Sequence, residues 1–327
     1  MSVLCISDLH VSKDPIRIVT VLNYLDYIIN YCKEHEEIKS VINLGDTFDH
    51  PQQKSNVLLP IFRKMRELSD AVNGNLFTIL GNHDLIQKDG SDTLAETFSS
   101  FGKVIQNSET LEVPGLGIAD FMSFTDDITA IPNKSRILFG HLEIEGFYFN
   151  PNKKIDGTMF TTNLFDNYNL VVSGHLHHEQ HKNNFEFVGT AYPTNRGEGN
   201  KNNYFAVISD TYQVELVEYN DGPDYLTIKA EEFNENINYT NKIIDVEISR
   251  KVENFVKLRD ILMDRGAIQI NPIFIKEEVN DFSNRQININ EGVVKSACKY
   301  LQETEADGIN NNMLLQCFKE ILKRSVW

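Results

Sequence analysis

The chain has 327 residues, more than one ordinary hydrophobic core supports, so we expect more than one domain. Apolar residues make up 41% and charged residues 24%, as in globular proteins, and the absence of any run of about 18 apolar residues argues against a membrane span. The formal net charge of −16 argues against a general nucleic-acid-binding protein, because phosphate contacts need Lys and Arg. Bound metal ions or a basic partner subunit would offset that charge.

The N-terminus and the cysteines predict a cytoplasmic location. Met1–Leu4 leads straight into a predicted strand and lacks the pattern of a secretory signal. The 4 cysteines have no metal-ligand spacing, and most fall at apolar positions of predicted elements. This favours reduced core thiols over disulfides.

The first part of the chain alternates predicted strands and helices. The elements are strand Val3–Ile6, a helix from Asp14 and Pro15 to about Glu36, strand Ser40–Leu44, a helix from about Lys54 to Leu68, and strand Leu76–Leu80. We expect Pro60 to interrupt or kink the second helix, because proline lacks the backbone donor. This β-α-β-α-β order predicts a sheet that begins as a parallel one.

The rest of the chain predicts more short strands and then, after a strong turn signal, a separate unit with a different order of elements. The expected elements are a helix over Ser91–Phe101, strands over Ser135–Phe139 and Tyr168–Val172, and strands of a second sheet over Phe185–Thr190 and Tyr204–Ile208. Asn220–Pro223 is a strong turn signal. Beyond it we expect a compact β-α-β unit over residues 243–275 and two further helices over 291–304 and 312–323.

Five predicted strands end alike, in small or glycine residues followed by Asp, Asn or His. The segments are Ser7-Asp8-Leu9-His10, Gly45-Asp46, Gly81-Asn82-His83-Asp84, Gly140-His141 and Gly174-His175-Leu176-His177. Open α/β sheets bind ligands at the carboxyl ends of their strands, so we expect these side chains to meet. Each segment alone is better interpreted as a solvated turn or a satisfied histidine. Five of them in order are hard to obtain without a common metal site.

The polar residues of these segments form a mixed oxygen and nitrogen ligand set. The candidates are Asp8, His10, Asp46, Asn82, His83, His141, His175 and His177. Imidazole suits Mn, Fe or Zn better than Ca or Mg. The set exceeds what one ion needs, and two ions about 3.5–4 Å apart with a shared carboxylate would use it.

These motifs resemble the calcineurin-like metallophosphoesterases over about residues 3–200. The match is carried by Asp8-x-His10, Gly45-Asp46-x-x-Asp49, Gly81-Asn82-His83-Asp84, Gly140-His141 and Gly174-His175-x-His177. Within that superfamily the chain looks most like the SbcD-type nucleases, including those of bacteriophages, on the strength of Asp46-Thr47-Phe48, the segment Val188–Glu198 and the β-α-β unit. Many of these nucleases have His where Asp49 stands, and either Asp49 or the neighbouring His50 could take that place.

The resemblance implies an α/β fold with a two-sheet metallophosphoesterase sandwich flanked by helices. A small α+β capping domain and C-terminal helices are expected to follow. The implied boundaries are a nuclease domain over residues 1–222, a capping domain over 223–285, and C-terminal helices over 286–327 that could bind an ATPase partner.

The resemblance also implies a site for two divalent ions, Mn²⁺ in the first place and Mg²⁺ as the alternative. One ion would be held by Asp8, His10, Asp46 and His177, and the other by Asp46, Asn82, His141 and His175. His83 is expected to stabilise developing charge and to protonate the leaving oxygen, with Asp84 orienting it. The alternative for His83 is an eighth ligand.

The activity implied by the resemblance is that of a two-metal DNA exonuclease and endonuclease, which hydrolyses phosphodiester bonds. It would act as the nuclease subunit of an SMC-like ATPase complex in recombination, repair or replication. Its expected partners are DNA, an ATPase subunit of the SbcC type and a second copy of the chain, as a homodimer within a heterotetramer. The expected place is the host cytoplasm if a phage encodes the chain, without membrane association. A metallophosphatase or cyclic-nucleotide phosphodiesterase is the alternative, and a binding subunit with an inactive site is a third hypothesis.

Overall fold

The structure is a computed structural model that describes residues 1–86, 93–199, 202–248 and 255–275. All described residues belong to one compact unit, Met1–Ile275. The helices expected over 291–304 and 312–323 lie outside the described residues.

The described elements are mainly strands, with three α-helices between them. The helices are α1 (Pro15–Glu34), α2 (Ser55–Ala71) and α3 (Phe255–Asp264). The strands are β1 (Ser2–Ile6), β2 (Ile38–Asn43), β3 (Leu76–Ile79), β4 (Lys103–Ile105), β5 (Ser108–Val113), β6 (Gly117–Met122), β7 (Ile137–His141), β8 (Tyr148–Asn150), β9 (Lys153–Lys154), β10 (Leu170–Gly174), β11 (Gln180–Lys182), β12 (Phe185–Phe187), β13 (Tyr204–Ser209), β14 (Val214–Glu218), β15 (Asp224–Lys229), β16 (Lys242–Ile248) and β17 (Gln269–Phe274).

The first sheet has the strand order β14-β13-β1-β2-β3-β4. Strands β1 to β4 run parallel, as the β-α-β-α-β order predicted. The assignment of Tyr204–Ile208 to the second sheet was wrong, because β13 pairs antiparallel with β1. The reason is that β1 is buried on both faces and needs a neighbour along each edge, and the hairpin of β13 and β14 supplies one.

The second sheet has the order β11-β12-β10-β7-β6-β5 and packs on the first. Side chains of both sheets share one core, in which Cys5 and Ile42 of the first meet Phe139 and Val172 of the second. The parallel pairing of β7 with β10 sets His141 opposite Gly174. This register brings the ends of both strands, and the histidines at them, to one edge of the sandwich.

Helices α1 and α2 cover the outer face of the first sheet, where their apolar residues pack on Leu4 and Ile6. Helix α1 begins as predicted, since the Asp14 carboxylate accepts the amide of Ile16 at 2.9 Å. Helix α2 runs through Pro60 without the expected interruption. None of the described helices is long and apolar enough to cross a membrane.

The helix expected over Ser91–Phe101 is a 3₁₀ helix in its described part, Leu94–Ser100. Its hydroxyl side chains bind carbonyls three residues back, as in Thr97 to Leu94 at 2.7 Å and Ser99 to Glu96 at 2.7 Å. Such side-chain bonds compete with the α-helical pattern.

A third sheet, in the order β15-β16-β17, follows the sandwich. Its strands are all parallel, and α3 lies between β16 and β17 in the chain. This is the predicted β-α-β unit, extended by β15. It has its own small core, which includes Ile244, Val246 and Leu262. The fold is therefore mixed α/β, a two-sheet sandwich with a smaller unit attached.

Candidate metal centre

The turns that follow β1, β2 and β10 carry a backbone conformation that L-residues rarely adopt. The φ angles are 52° at Asp8, 43° at His10, 50° at Asp46 and 85° at His175. Such residues cost of order 1–3 kcal/mol each and persist only where the surroundings hold them, most often at functional sites. All four are ligand candidates from the sequence.

Two glycines make this close packing of turns feasible. A Cβ on Gly81 would collide with the carboxylate and backbone of Asp46, and a Cβ on Gly174 would collide with the side chains of Ser7 and Asp8. The glycine in these segments therefore lets one turn approach the next.

Asp8, His10 and His177 form the first group, with ligand atoms within 4.8 Å of one another. Nε2 of His10 lies 2.9 Å from Nε2 of His177 and 3.8 Å from Oδ1 of Asp8. An ion with ligands at about 2.0–2.2 Å brings its donor atoms to about 3–3.6 Å from one another. The three side chains thus converge at a spacing that suits a common ion.

Asp46, His141 and His175 form the second group. Nε2 of His141 lies 3.4 Å from Oδ2 of Asp46 and 3.3 Å from Nδ1 of His175. The carboxamide oxygen of Asn82 joins them, at 2.9 Å from Nδ1 of His175 and 3.2 Å from Nε2 of His141. All seven residues predicted as ligands lie in or beside these two groups.

Asp46 lies between the two groups. Its Oδ2 is 3.7 Å from Nε2 of His10 in the first group and 3.4 Å from Nε2 of His141 in the second. Its other oxygen, Oδ1, accepts the backbone amide of His83 at 2.8 Å. One carboxylate oxygen is therefore available to both groups while the other is held by the turn after β3.

Three of the histidines bind an acceptor through the ring nitrogen that faces away from the groups. Nδ1 of His141 is 2.8 Å from the Leu44 carbonyl, Nδ1 of His177 is 2.7 Å from Oε1 of Glu198, and Nε2 of His175 is 3.2 Å from Oε2 of Glu143. These acceptors assign one proton to the outer nitrogen, so the inner nitrogen offers a lone pair to a metal whenever the ring is neutral. Metal-ligating histidines are oriented in this way.

Glu143 and Glu198 are the residues that the sequence interpretation missed as supports of the site. Glu143 follows His141 by two residues, and on an extended chain that spacing places both on one side. Glu198 lies in a 3₁₀ turn, Arg196–Glu198, and no periodic signal marked it.

Burial and charge shift the pKa values of the histidines in this site in opposite directions. Burial lowers the pKa of His10 and of His175 to about 3, which keeps both rings neutral. Burial also opposes charge on His141, but the adjacent Asp46 carboxylate outweighs it and raises the pKa of His141 to about 9. Burial opposes charge on Asp46 too, yet His141 holds the pKa of Asp46 below its usual range.

The donor set fits divalent metal ions. Asp8 is 0% exposed and Asp46 2% exposed, and within the described residues their ion pairs run only to histidines. Two buried carboxylates this close repel each other and need compensating positive charge, which in the described part of the metal-free protein comes only from protonated histidines such as His141. Bound cations would supply it, and inward lone pairs on imidazole favour Mn, Fe or Zn.

His83 lies beside the groups, in contact with His10 and Asp49. Its Nδ1 is 2.9 Å from the Asp49 carbonyl, and its ring meets that of His10 edge-on, with centroids 4.9 Å apart. His10, Asp49 and His83 also form a third set of potential ligands within 4.8 Å. The ring partner of His83 is therefore Asp49, where the sequence predicted Asp84.

Asp84 holds two turns together instead. Its buried carboxylate accepts the backbone amides of Gly81 at 3.1 Å, Thr47 at 3.3 Å and Phe48 at 3.2 Å. Burial, with repulsion from Asp46, raises the pKa of Asp84 to about 7. The carboxylate thus ties the turn after β2 to the turn after β3.

His50, the alternative to Asp49, is exposed, and its Nδ1 accepts the amide of Gln52 at 3.4 Å. Asp49 faces the site, with Oδ1 at 3.7 Å from Nδ1 of His10 and Oδ2 at 3.8 Å from Nη1 of Arg17. Between these two neighbours, Asp49 is the one that lies next to His10 and His83.

A two-sheet sandwich with histidines and carboxylates gathered at its strand ends has the architecture of a metal-dependent hydrolase. The chain belongs to the calcineurin-like phosphoesterases, since the model of that family matches residues 1–179. Membership implies a metal-dependent phosphoester hydrolase with a centre for two metal ions.

Individual relatives match less of the chain. Exonuclease subunit 1 of enterobacteria phage T4 is 28% identical over 184 residues, which are 53% of this chain and 53% of that protein. The chain thus matches about half the length of this curated relative. A solved structure of a dimetal phosphatase from Danio rerio matches with a TM-score of 0.38 and 10% identity, over 67% of this chain and 95% of that one.

Proposed function

We propose that the protein is a two-metal nuclease that hydrolyses phosphodiester bonds of DNA. The observation that carries the two-metal part is the position of Asp46, whose Oδ2 lies within 3.7 Å of His10 in one ligand group and 3.4 Å of His141 in the other. The similarity to a phage exonuclease subunit supports DNA as the substrate.

The two ions, most suitably Mn²⁺ with Mg²⁺ as the alternative, have separate ligands and one in common. Asp8, His10 and His177 would hold the first ion, Asn82, His141 and His175 the second, and Asp46 both. When bound, such ions supply positive charge to phosphoryl oxygens and lower the pKa of a bound water.

His83 is the proposed proton donor to the leaving oxygen. Because Nδ1 of His83 donates to the Asp49 carbonyl at 2.9 Å, its Nε2 is the nitrogen that can exchange a proton with substrate. The backbone amide of His83 is anchored on Oδ1 of Asp46, which fixes the ring relative to the shared carboxylate. Asp84 contributes by holding the turns after β2 and β3 in register.

The same proposal includes a complex and a domain layout. We infer a nuclease domain over residues 1–222, a capping domain over 223–285 and partner-binding helices over 286–327, the last outside the described residues. The partners would be an SMC-like ATPase of the SbcC type and a second copy of the chain, in the host cytoplasm. The word subunit in the name of the phage relative and the net charge of −16, which disfavours DNA binding by the chain alone, support a partner.

One set of assays tests the substrate class. The purified chain with Mn²⁺ is given duplex DNA, single-stranded DNA, bis(p-nitrophenyl) phosphate, a cyclic nucleotide and a phosphopeptide in parallel. We expect hydrolysis of DNA and of the simple diester. Hydrolysis of the cyclic nucleotide or phosphopeptide with intact DNA would instead establish the phosphodiesterase or phosphatase alternative, which the acidic charge favours. Inactivity on all five would favour a binding subunit, because the simple diester is small enough to reach the metal centre without a partner.

A further inference from the structure

A cleft of about 660 Å³ opens on one side of the metal centre, between β5 and the loop that follows β6. Its lining includes Leu85, Asn107, Phe124, Ile131, Pro132 and Lys134. The volume lies within the range of about 300–1,000 Å³ that small-molecule sites occupy. None of these residues is a predicted metal ligand, so the cleft is a separate feature of the surface.

Phe124 belongs both to the cleft and to the wall of the metal centre. Its ring centroid is 5.6 Å from that of His175 and 6.2 Å from that of His141. Its backbone amide donates to the Leu80 carbonyl at 2.9 Å, at the end of the strand segment that leads into Gly81. A ligand whose phosphate reached the second ligand group would therefore lie beside this ring.

The charges around the cleft are largely engaged within the protein. Glu109 pairs with Lys103 at 2.7 Å, and Asp127 accepts the amide of Thr129 at 2.8 Å and its hydroxyl at 2.7 Å. Among the described residues, Asn107 and Lys134 form hydrogen bonds through their backbones, to Ser123 and Asp120, and through no side-chain atom. An aromatic ring, a free amide and one cation are left to meet a ligand.

We propose that this cleft binds the unstacked base of a deoxynucleotide whose phosphate lies at the metal centre. The inference rests on the proposed nuclease function and names its substrate more closely. Phe124 would provide the stacking surface, Asn107 a donor and acceptor for the base edge, and Lys134 a cation for a neighbouring phosphate. A base in the cleft is no longer stacked in a duplex, so the scissile strand must be single-stranded or frayed at that nucleotide.

Binding of two small probes tests the cleft without any need for cleavage. The affinity of the Mn²⁺-loaded protein is measured for deoxyadenosine monophosphate and for 2-deoxyribose 5-phosphate, which has the same phosphate but no base. We expect the nucleotide to bind about 5- to 150-fold more tightly, the range that one stacked base contributes. Equal affinities would overturn the proposal.

Variants then assign the preference to the cleft. Phe124→Leu and Asn107→Ala should each reduce the ratio of the two affinities, whereas Phe274→Leu, which alters a phenylalanine that is 75% exposed on β17, should leave it unchanged. Within the described residues, Asn107 has no hydrogen bond to a metal-ligand candidate, so the Asn107→Ala variant remains informative if Phe124→Leu loses metal through His175. A ratio that survives both cleft variants would place the base elsewhere.

Cleavage of DNA separates this inference from the proposed function. A single-stranded oligonucleotide is compared with one that carries an abasic site at the scissile nucleotide. Cleavage of both oligonucleotides at the same rate would support the proposed nuclease activity and contradict base binding in the cleft. If the protein binds deoxyadenosine monophosphate more tightly than 2-deoxyribose 5-phosphate but cleaves neither oligonucleotide, base binding in the cleft is supported and the proposed nuclease activity is contradicted.

Discussion

Nδ1 of His177 lies 2.7 Å from Oε1 of Glu198, a carboxylate 21 residues further along the chain. Glu198 is itself held, since its Oε2 accepts the amide of Thr194 at 2.7 Å and the hydroxyl of Thr194 at 2.9 Å. The hydrogen bond to His177, opposed by burial, lowers the pKa of Glu198 to about 2, so the carboxylate is ionised at neutral pH. A fixed anion thus orients one inward imidazole of the first ligand group.

Glu198→Gln should weaken the first ion without unfolding the protein. The amide removes the negative charge behind His177 and sets a donor against Thr194, and loss of such a support costs about 10- to 100-fold in metal affinity. Titration of Mn²⁺ against a chelator should show that one of the two sites has a lower affinity for the metal and that the other is unchanged. Glu143→Gln is the matched control, because it acts behind His175 and should weaken the other site. An unchanged pair of affinities in Glu198→Gln would contradict this role.

The residues that meet at the site could be predicted because they end buried strands. Parallel strands bring their carboxyl ends to one edge, so the sequence alone predicts that Asp8, Asp46 and Asn82 gather there. The register of β7 and β10, which sets His141 opposite Gly174, follows the same logic. For these residues a local pattern and the topology of the sheet are sufficient.

The supports of the site could not be predicted in the same way. Glu198 reaches His177 from an irregular turn, and Asp84 binds three backbone amides whose positions depend on how two turns fold against each other. Neither arrangement has a period in the sequence. The pairing of β13 with β1 was missed for a related reason, since an apolar strand pattern does not specify its neighbour.

Asp46→Asn should lose both ions and all activity while the fold is kept. Asp46 is the single carboxylate within reach of His10 and His141 together in the described residues, so an amide there removes charge from both groups. Metal analysis, a thermal melt and turnover of bis(p-nitrophenyl) phosphate measure the three properties. Asp210→Asn is the control, because it makes the same substitution at a side chain that is 58% exposed. Normal turnover with one tightly bound ion would refute a shared role.

His83→Ala should retain both ions and lose catalysis. The ring binds the Asp49 carbonyl and lies outside the two ligand groups, so its removal spares metal binding but removes a proton donor, at a cost of about 10²–10⁴-fold in kcat. A substrate whose leaving group is a weak base, such as p-nitrophenolate, should lose less than DNA. Depletion of metal in this variant would make His83 a ligand and end the assignment.

Metal affinity should rise with pH between about 6 and 9. In the metal-free protein the Asp46 carboxylate raises the pKa of His141 to about 9, so at neutral pH the ring is protonated and its proton must leave before a metal can bind. His10 and His175, with pKa lowered to about 3 by burial, are already neutral and contribute no proton in this range. The hydrogen bond to Glu198 outweighs burial and raises the pKa of His177, so this ring can contribute a second proton.

Each displaced proton makes the apparent dissociation constant fall about tenfold per pH unit below the pKa of its group, and the gain ends once the pH passes that value. Calorimetric titration of Mn²⁺ in two buffers of different ionisation enthalpy counts the protons released. We expect at least one proton at pH 7 and fewer at pH 9.5. Release of no proton at pH 7, with an affinity that does not change across this range, would show that His141 is neutral beside Asp46 and would overturn the electrostatic description of the second group.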